Sequence, residues 1–259
     1  RSPQYENGDI ISSQNFTDII LRLNNPGEVT LNTMSYGLPL YGGNAAKIHK
    51  KLLELADSGT QINLGIDNTY GNRIAPQIDL PVGIAKRLGQ RSILEKKEAA
   101  YAELTSHRNV SLNFNGSENP PFFPISKIDH RKILLVREQP STTNDSTPDY
   151  GVIFGFNINY LLEPEHIDSA IYIDDPNALD WLQKYSRSPH YTQPSRKDFG
   201  SMRFVTRELT SGGNEIADQE ILDTIRGANS EIVYCSQWLP DAAILDELGQ
   251  AARNGVNIS

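Results

Sequence analysis

The chain is poor in the residues that mark several large classes of protein. Its 259 residues contain one cysteine, Cys235, which excludes a framework of internal disulfides and leaves the redox compartment open. No run of the sequence approaches the roughly 18 to 20 consecutive apolar residues that a membrane-spanning helix needs. We therefore expect no integral membrane segment.

Positive charge is also scarce. The 24 Lys and Arg residues are outnumbered by 32 Asp and Glu residues, which gives a net charge of -8. This balance disfavours a protein that coats nucleic acid through many phosphate contacts, although it leaves room for a small basic site. The acidic pair Asp174-Asp175, before Pro176, is more typical of a turn than of metal ligands. The sequence therefore predicts no cofactor.

Hydrophobic periodicity predicts an α/β chain. It indicates helices over residues 16–23, 45–56, 93–104, 177–185, 215–228 and 242–253. Strands are predicted over residues 28–36, 60–66, 110–114, 127–136, 150–157, 170–173, 202–205 and 231–236, and from residue 255 onward. Asn44, after two glycines, is predicted to cap the second helix. A helix between two early strands predicts a parallel pair joined by a crossover.

One part of this pattern occurs twice. A strand that begins Glu28-Val-Thr-Leu is followed by a helix and then by Gly59-Thr-Gln-Ile, and Glu231-Ile-Val-Tyr is followed by a helix and by Gly255-Val-Asn-Ile. The offset of roughly 200 residues indicates an internal repeat. The polar segment 186–200 contains two prolines and is the best candidate linker. We therefore predict two domains, residues 1–195 and 196–259, of which the second is incomplete.

The residues with the clearest chemistry are His130 and Lys132. Strand alternation puts both side chains on one face, although an H-x-K triplet alone is a weak signal. A second apolar run ends in Gly155-Phe-Asn157, and a polar loop between the runs predicts a hairpin that brings Asn157 to the same end of the sheet. Imidazole, ammonium and carboxamide together are a set of groups suited to binding a phosphate.

This combination resembles the half-site of the phospholipase D superfamily, written H-x-K-x4-D and followed by a strand ending in G-(G/S)-x-N. Two positions depart from that pattern: Arg137 stands where the motif has Asp, and Phe154 stands where it has the first Gly. Asp168 occupies the place where relatives have an acid that orients the catalytic histidine. A turn before the strand at residues 170–173 explains Asp168 equally well.

The resemblance implies a fold and a mechanism. The expected fold is an α/β/α sandwich with a mixed, largely parallel sheet and two pseudo-repeated halves. Each half of such a protein gives one His, one Lys and one Asn to a shared site. One histidine forms a phosphohistidine without any metal, and Lys132 and Asn157 would hold the phosphate oxygens. His130 is the better candidate for the nucleophile, with a general-acid role still open.

No second H-x-K site is present in this chain. His49-Lys-Lys51 has the letters of the motif but falls within a predicted helix. We therefore expect the chain to hold one half-site and the beginning of its partner. The expected partner is the C-terminal half of the same protein, either a separate fragment or missing from a truncated chain, and completion of the site by another subunit is the less favoured alternative.

The sequence gives weaker evidence on the substrate than on the half-site. A phospholipid, cleaved or transferred, is favoured by the acidic composition and by the apolar pair Phe122-Phe123. A nuclease is the alternative within the superfamily, so nucleic acid is a less favoured substrate. A noncatalytic binding protein is the alternative from another class, motivated by Arg137 and by the missing second site.

Sequence features also bear on location. The chain begins at Arg1-Ser-Pro without an apolar leader, and five Asn-x-Ser/Thr triplets match the glycosylation pattern. The triplets begin at Asn15, Asn109, Asn115, Asn144 and Asn257. They favour a secreted or exported protein that could act peripherally at membranes.

Overall fold

The chain forms two compact units, Arg1–His190 and Tyr191–Ser259. The computed structural model describes residues 5–33, 36, 43–67, 74–75, 80–81, 99–115, 131–139, 149–158, 169–187, 196–200, 202–205, 215–234 and 242–259. The predicted boundary, between residues 195 and 196, was drawn from composition. That the two units are phospholipase D-like halves stays a prediction.

The first unit is built around one large sheet. Its strands are β1 (Ile10–Ser12), β2 (Glu28–Thr33), β3 (Gln61–Asp67), β4 (Ile74–Ala75), β5 (Leu80–Pro81), β6 (Val110–Asn115), β7 (Ile133–Arg137), β8 (Tyr150–Phe154) and β9 (Ser169–Ile173). Its described helices are α1 (Ser13–Leu21), α2 (Gly43–Asp57), α3 (residues 99–105) and α4 (Pro176–Arg187). Seven strands form the sheet in the order β1-β9-β8-β7-β2-β3-β6, and β4 and β5 pair separately.

The directions of the strands correct one expectation. The pairs β2–β3 and β3–β6 are parallel, and the first is joined through α2 as the predicted crossover requires. The other neighbours in the sheet, from β1 through β9, β8 and β7 to β2, are antiparallel. The mixed α/β sheet is therefore confirmed, but it is not largely parallel, because β7, β8 and β9 run as consecutive antiparallel neighbours.

Helices cover both faces of this sheet. Phe16 of α1, Leu52 of α2 and Leu104 of α3 share one buried cluster with Leu31 of β2 and Leu134 of β7. The opposite face packs against α4, where Leu179 approaches the pair formed by Leu135 and Gly151. A sheet between two helical layers is the predicted α/β/α sandwich.

Gly151 provides a test of the packing under α4. A Cβ added there would lie 2.9 Å from Cδ2 of Leu135 and 3.0 Å from Cδ2 of Leu179. We expect Gly151→Val to lower the free energy of unfolding by about 1 to 3 kcal/mol, because extra methyl groups overpack the core. Urea denaturation measures this change. Gly249→Val is the control, since a Cβ there meets only Arg253 Nη1, at 3.5 Å, and the variant should stay within about 1 kcal/mol of the parent.

The second unit is smaller. Its elements are β10 (Arg196–Phe199), β11 (Met202–Val205), α5 (Glu215–Gly227), β12 (Glu231–Ile232), α6 (Ala242–Arg253) and β13 (Asn257–Ile258). Segment 196–199, predicted as linker, is instead a strand paired antiparallel with β11. This strand was not predicted because its sequence is polar. Arg196 and Arg203 form ion pairs with Glu220 of α5 rather than apolar contacts.

The predicted repeat is present in the local structure of both units. Glu28 of β2 pairs in parallel with Gln61 of β3, and Glu231 of β12 pairs in parallel with Asn257 of β13. In each unit, the second residue after the helix is a glycine with positive φ, +93° at Gly59 and +88° at Gly255. Such helix ends favour glycine because its left-handed conformation carries no Cβ penalty.

Smaller corrections concern the ends of elements. The strand β1 was not predicted, since its three residues leave no readable alternation. Asn44 does not cap α2, because the helix begins at Gly43 and the Asn44 side chain is buried in its first turn. The motif-like His49 lies within α2, as predicted. Among the described residues, no helix combines the length and the apolar character that crossing a membrane requires.

Candidate functional site

The start of β7 and the end of β8 lie side by side at one end of the sheet, where strands begin or end. This row of strand ends is called the edge below. The two strands are antiparallel, with Ile133 opposite Ile153, and the Phe154 N–H donates to the Lys132 carbonyl at 3.1 Å. Asn157 follows the end of β8. The structure therefore brings Lys132 and Asn157 to one edge on neighbouring strands. His130 and Asp168 lie outside the described residues, and the assignment of all four as site residues stays a prediction.

Other strand ends meet at this edge. Asn32 near the end of β2 pairs with Ile133 at the start of β7, and β3 and β6 run parallel to β2. The Gly155 N–H donates to the carbonyl of Ser169, the first residue of β9, at 3.0 Å. In α/β sheets, ligands bind in the crevice outside such strand ends. The edge is thus a reasonable place for a binding site on topology alone.

Lys132 is buried at this edge. Its residue is 7% exposed, and alternation along β7 puts its side chain on the same face as Leu134 and Val136, which belong to the main apolar cluster. Taking an ammonium out of water is costly unless negative charge or hydrogen bonds compensate it. A buried lysine where several strand ends converge is a candidate group for contacting an anion.

Asn157 also has an unusual environment. Its Oδ1 is buried and has no hydrogen-bond partner among the described residues, which costs about 1 to 3 kcal/mol for a polar atom. Turning the amide by half a turn keeps its shape and puts the donor Nδ2 in the same place. The next residue, Ile158, forms an isolated parallel bridge with Tyr36 and fixes the backbone beyond β8. Asn157 is thus a polar residue near Lys132's end of the sheet whose amide has one buried atom without a partner among the described residues.

Known proteins with similar structure were identified. No protein-family model and no curated protein matches the chain. The chain is similar to Nuc from Salmonella typhimurium, described as a phospholipase D family member, with 13% identity, a TM-score of 0.42, and 67% of this chain and 84% of that chain covered. A polyphosphate kinase from Porphyromonas gingivalis has 11% identity and a TM-score of 0.53, with 96% of this chain and 36% of that chain covered. NucT from Helicobacter pylori has 9% identity and a TM-score of 0.43, with 70% and 92% covered.

The fold is similar to that of a part of the polyphosphate kinase. At these identities the similarity concerns the fold. The similarity to the polyphosphate kinase spans nearly the whole chain but only about a third of that enzyme. In the described part of the chain, no group of three or more His, Cys, Asp or Glu side chains is placed to hold a metal ion.

Arg137 stands at the position where the phospholipase D motif has Asp. Its guanidinium donates to Asp149 Oδ2 at 2.7 Å, to Asp180 Oδ1 at 2.8 Å and to Gln183 Oε1 at 3.0 Å. Burial alone would lower the pKa of Arg137, but the hydrogen bonds to these two carboxylates raise it, so the group stays charged. Because the partners include α4, the Arg137 side chain lies on the face of β7 opposite Lys132. Replacing the motif's Asp therefore removes nothing from the face that carries Lys132.

Two residues of this edge were missed by the sequence reading. Arg131, 7% exposed, donates from Nη1 to the carbonyls of Tyr185 and Ser186 at the end of α4. Asn32 donates from Nδ2 to the same Ser186 carbonyl at 3.2 Å. One signal was available: alternation puts Arg131 on the face of Ile133, where a charged side chain needs a buried partner. The partner lies about 55 positions away in sequence and could not be read from it.

A second buried polar group is His49. His49 Nδ1 is 3.3 Å from the Tyr36 hydroxyl, and its Nε2 is 3.7 Å from Glu103 Oε2. Burial lowers the pKa of His49, and the nearby Glu103 carboxylate opposes this shift only in part. His49 is therefore a neutral core residue that contacts Tyr36, which forms the bridge to Ile158.

This burial predicts how stability depends on pH. Below pH 6.5, the ordinary imidazole pKa, the unfolded chain binds a proton at His49 that the folded chain binds only at lower pH. Stability should therefore fall on acidification through this range, by at most about 1.4 kcal/mol per pH unit. We expect His49→Gln to reduce the loss of unfolding free energy between pH 7.5 and 5.5, measured by urea denaturation.

His107 is the matched control, because its shift has the opposite sign. A hydrogen bond with Asp57 raises the pKa of His107, so its contribution is present below the unfolded pKa and is lost as the pH rises. His107→Gln should make the loss on acidification larger. An identical pH dependence in both variants would contradict the assignment of His49.

Proposed function

We propose that this chain supplies one half of the active site of a phosphodiesterase that works through a phosphohistidine. The observation that supports this most directly is the placement of buried Lys132 and of Asn157 at one edge of the sheet, on neighbouring strands. A buried cation and an amide with an unpartnered polar atom form a site suited to a phosphate group.

The reaction consists of two displacements at phosphorus. An imidazole nitrogen of His130 attacks phosphorus, the bond to the ester oxygen breaks, and the histidine of the other half gives the departing alcohol its proton. That histidine then takes a proton from water, the water oxygen attacks phosphorus, and the phosphorus–nitrogen bond breaks. Lys132 and Asn157 hold the non-bridging oxygens, on which charge is spread in each transition state. An acceptor alcohol in place of water gives transfer.

We propose a phospholipid as the substrate. The net charge of -8 supports this choice over a nucleic acid, whose binding draws on many phosphate contacts with basic groups. The apolar pair Phe122-Phe123, which would favour a lipid, lies outside the described residues. Export from the cell and completion of the site by the C-terminal half of the same protein belong to this proposal. A nuclease is the alternative within the same chemistry.

A paired assay tests the proposal. The complete protein is incubated with phosphatidylcholine vesicles and, separately, with single-stranded DNA, both in the presence of a metal chelator. We expect release of the head group and little cleavage of DNA. Cleavage of DNA alone would replace the lipid by nucleic acid and keep the mechanism. Cleavage of neither substrate, at enzyme concentrations near that of the substrate, would favour a noncatalytic binding protein.

A further inference from the structure

The residue between His130 and Lys132 is anchored to a helix end. The Arg131 guanidinium donates to the carbonyls of Tyr185 and Ser186, the latter at 3.3 Å, and its carbon lies 5.5 Å from the centre of the Tyr185 ring. That ring is stacked on Trp181 at 5.3 Å with an angle of 6° between the planes. Arg131 therefore contacts the last turns of α4 both through its hydrogen bonds to the backbone carbonyls and through the Tyr185 ring.

The contact provides hydrogen-bond donors for backbone carbonyls at the C-terminal end of α4. The last carbonyls of a helix have no partner within it, and a cation near them is favourable because of the helix dipole. The Asn32 amide donates to the same Ser186 carbonyl at 3.2 Å, so side chains from two adjacent strands close the end of α4. Both strands are thereby tied to the helix at the edge where Lys132 lies.

Holding Arg131 on one face constrains Lys132 on the other. Successive side chains of a strand point to opposite faces, so the burial of Arg131 against α4 turns Lys132 toward the face of Leu134. The residue before Arg131 in the sequence is His130. The backbone at Arg131, between the two motif residues in sequence, is thus held by the contact of the Arg131 side chain with α4.

We propose that Arg131 is a positioning residue of the phosphodiesterase site: its contact with α4 holds the backbone at Arg131 and Lys132, next in sequence to the proposed catalytic residue His130. This inference rests on the proposed function. Arg131 itself faces α4 and does not touch the substrate.

The chain contains a matched control for this idea. Arg137 is the last residue of β7, on the same face as Arg131, and also bonds to α4, through Asp180 and Gln183, but at the end of the strand away from the site. Loss of either arginine removes charged hydrogen bonds between β7 and α4. Only the loss of Arg131 should disturb the site edge.

Kinetics of the complete protein separate the two roles. We expect Arg131→Met to lower kcat by about 10²-fold with little change in KM, as for a displacement of catalytic groups by about 1 Å. Arg131→Lys, which can still donate to one carbonyl, should recover about a tenth of the parental kcat, while Arg137→Met stays within about threefold. An equal loss of kcat in Arg131→Met and Arg137→Met would reduce Arg131 to an ordinary structural contact. A parental kcat in Arg131→Met would also overturn the proposal.

Hydrogen exchange tests the positioning without any substrate. Amide exchange at residues 131–135 should be faster in Arg131→Met than in Arg137→Met, because the first variant frees the site end of β7. If the parent cleaves no phosphodiester but this difference appears, the proposed function fails and the anchoring of the H-x-K segment stands. If exchange is the same in both variants, the anchoring is wrong whatever the activity.

Discussion

A Lys132→Met variant should remain folded and lose phosphodiester cleavage by about 10²- to 10³-fold in kcat. The loss is expected because the ammonium neutralises oxygens whose negative charge is shared in the transition state, and methionine keeps only the length of the side chain. β7 stays paired with β2 and β8 on its two sides, so the sheet does not depend on this charge. Steady-state kinetics and a thermal unfolding curve of the same sample give both quantities.

The control is a charged lysine that lies away from the proposed site. Lys184 lies exposed on α4, and Lys184→Met should keep parental kcat. If Lys132→Met unfolds in proportion to its lost activity, Lys132 is structural. If it stays folded with parental kcat, the buried ammonium serves no phosphate, and a binding protein with this fold becomes the better interpretation.

The sequence could predict the elements around Lys132 because each has a strong local pattern. β7 and β8 are short apolar runs joined by a polar segment, and their antiparallel pairing follows from that arrangement. The helix α2, its terminal glycine and the parallel strand after it follow from amphipathic spacing and from Gly59. These features need only contacts between neighbours in the chain.

Other features depend on contacts between distant residues. The order of the sheet puts β7 beside β2, although the two strands are about 100 residues apart, and this pairing makes the sheet more antiparallel than expected. That pairing has no local signature in the sequence. The hairpin strand β10 was missed for another reason: its sequence, Arg-Lys-Asp-Phe, has no apolar alternation, and Arg196 forms an ion pair with Glu220 of α5.

The residues of the candidate site also divide into those predicted from local patterns and those that depend on contacts with distant residues. His130, Lys132 and Asn157 were predicted as site residues from their spacing, because strand alternation and a hairpin are local rules. Arg131 and Asn32 were not singled out, because their hydrogen bonds go to the distant end of α4. Arg137 looked like a defect of the motif, and only its bonds to Asp149 and Asp180 show that it holds α4 on the far face of the strand.

The largest loss is expected for His130→Asn in the complete protein. Asparagine keeps a polar side chain of similar reach but cannot form the bond to phosphorus, so turnover should fall by at least about 10⁴-fold. The parent, quenched during turnover with a substrate labelled at phosphorus, should yield a protein-bound, acid-labile phosphoramidate that the variant lacks. Retention of turnover near the parental rate would remove His130 from the mechanism.

The identity of the leaving group separates the two roles open to His130. A general acid is needed when the departing oxygen is a poor leaving group, as in a phospholipid, but not for nitrophenolate. If His130 is the nucleophile, His130→Asn should be inactive on bis(p-nitrophenyl) phosphate as well as on lipid, because no phosphohistidine can form. Activity of the variant on the nitrophenyl ester alone would assign His130 as the acid and move the nucleophile to the histidine of the opposing half.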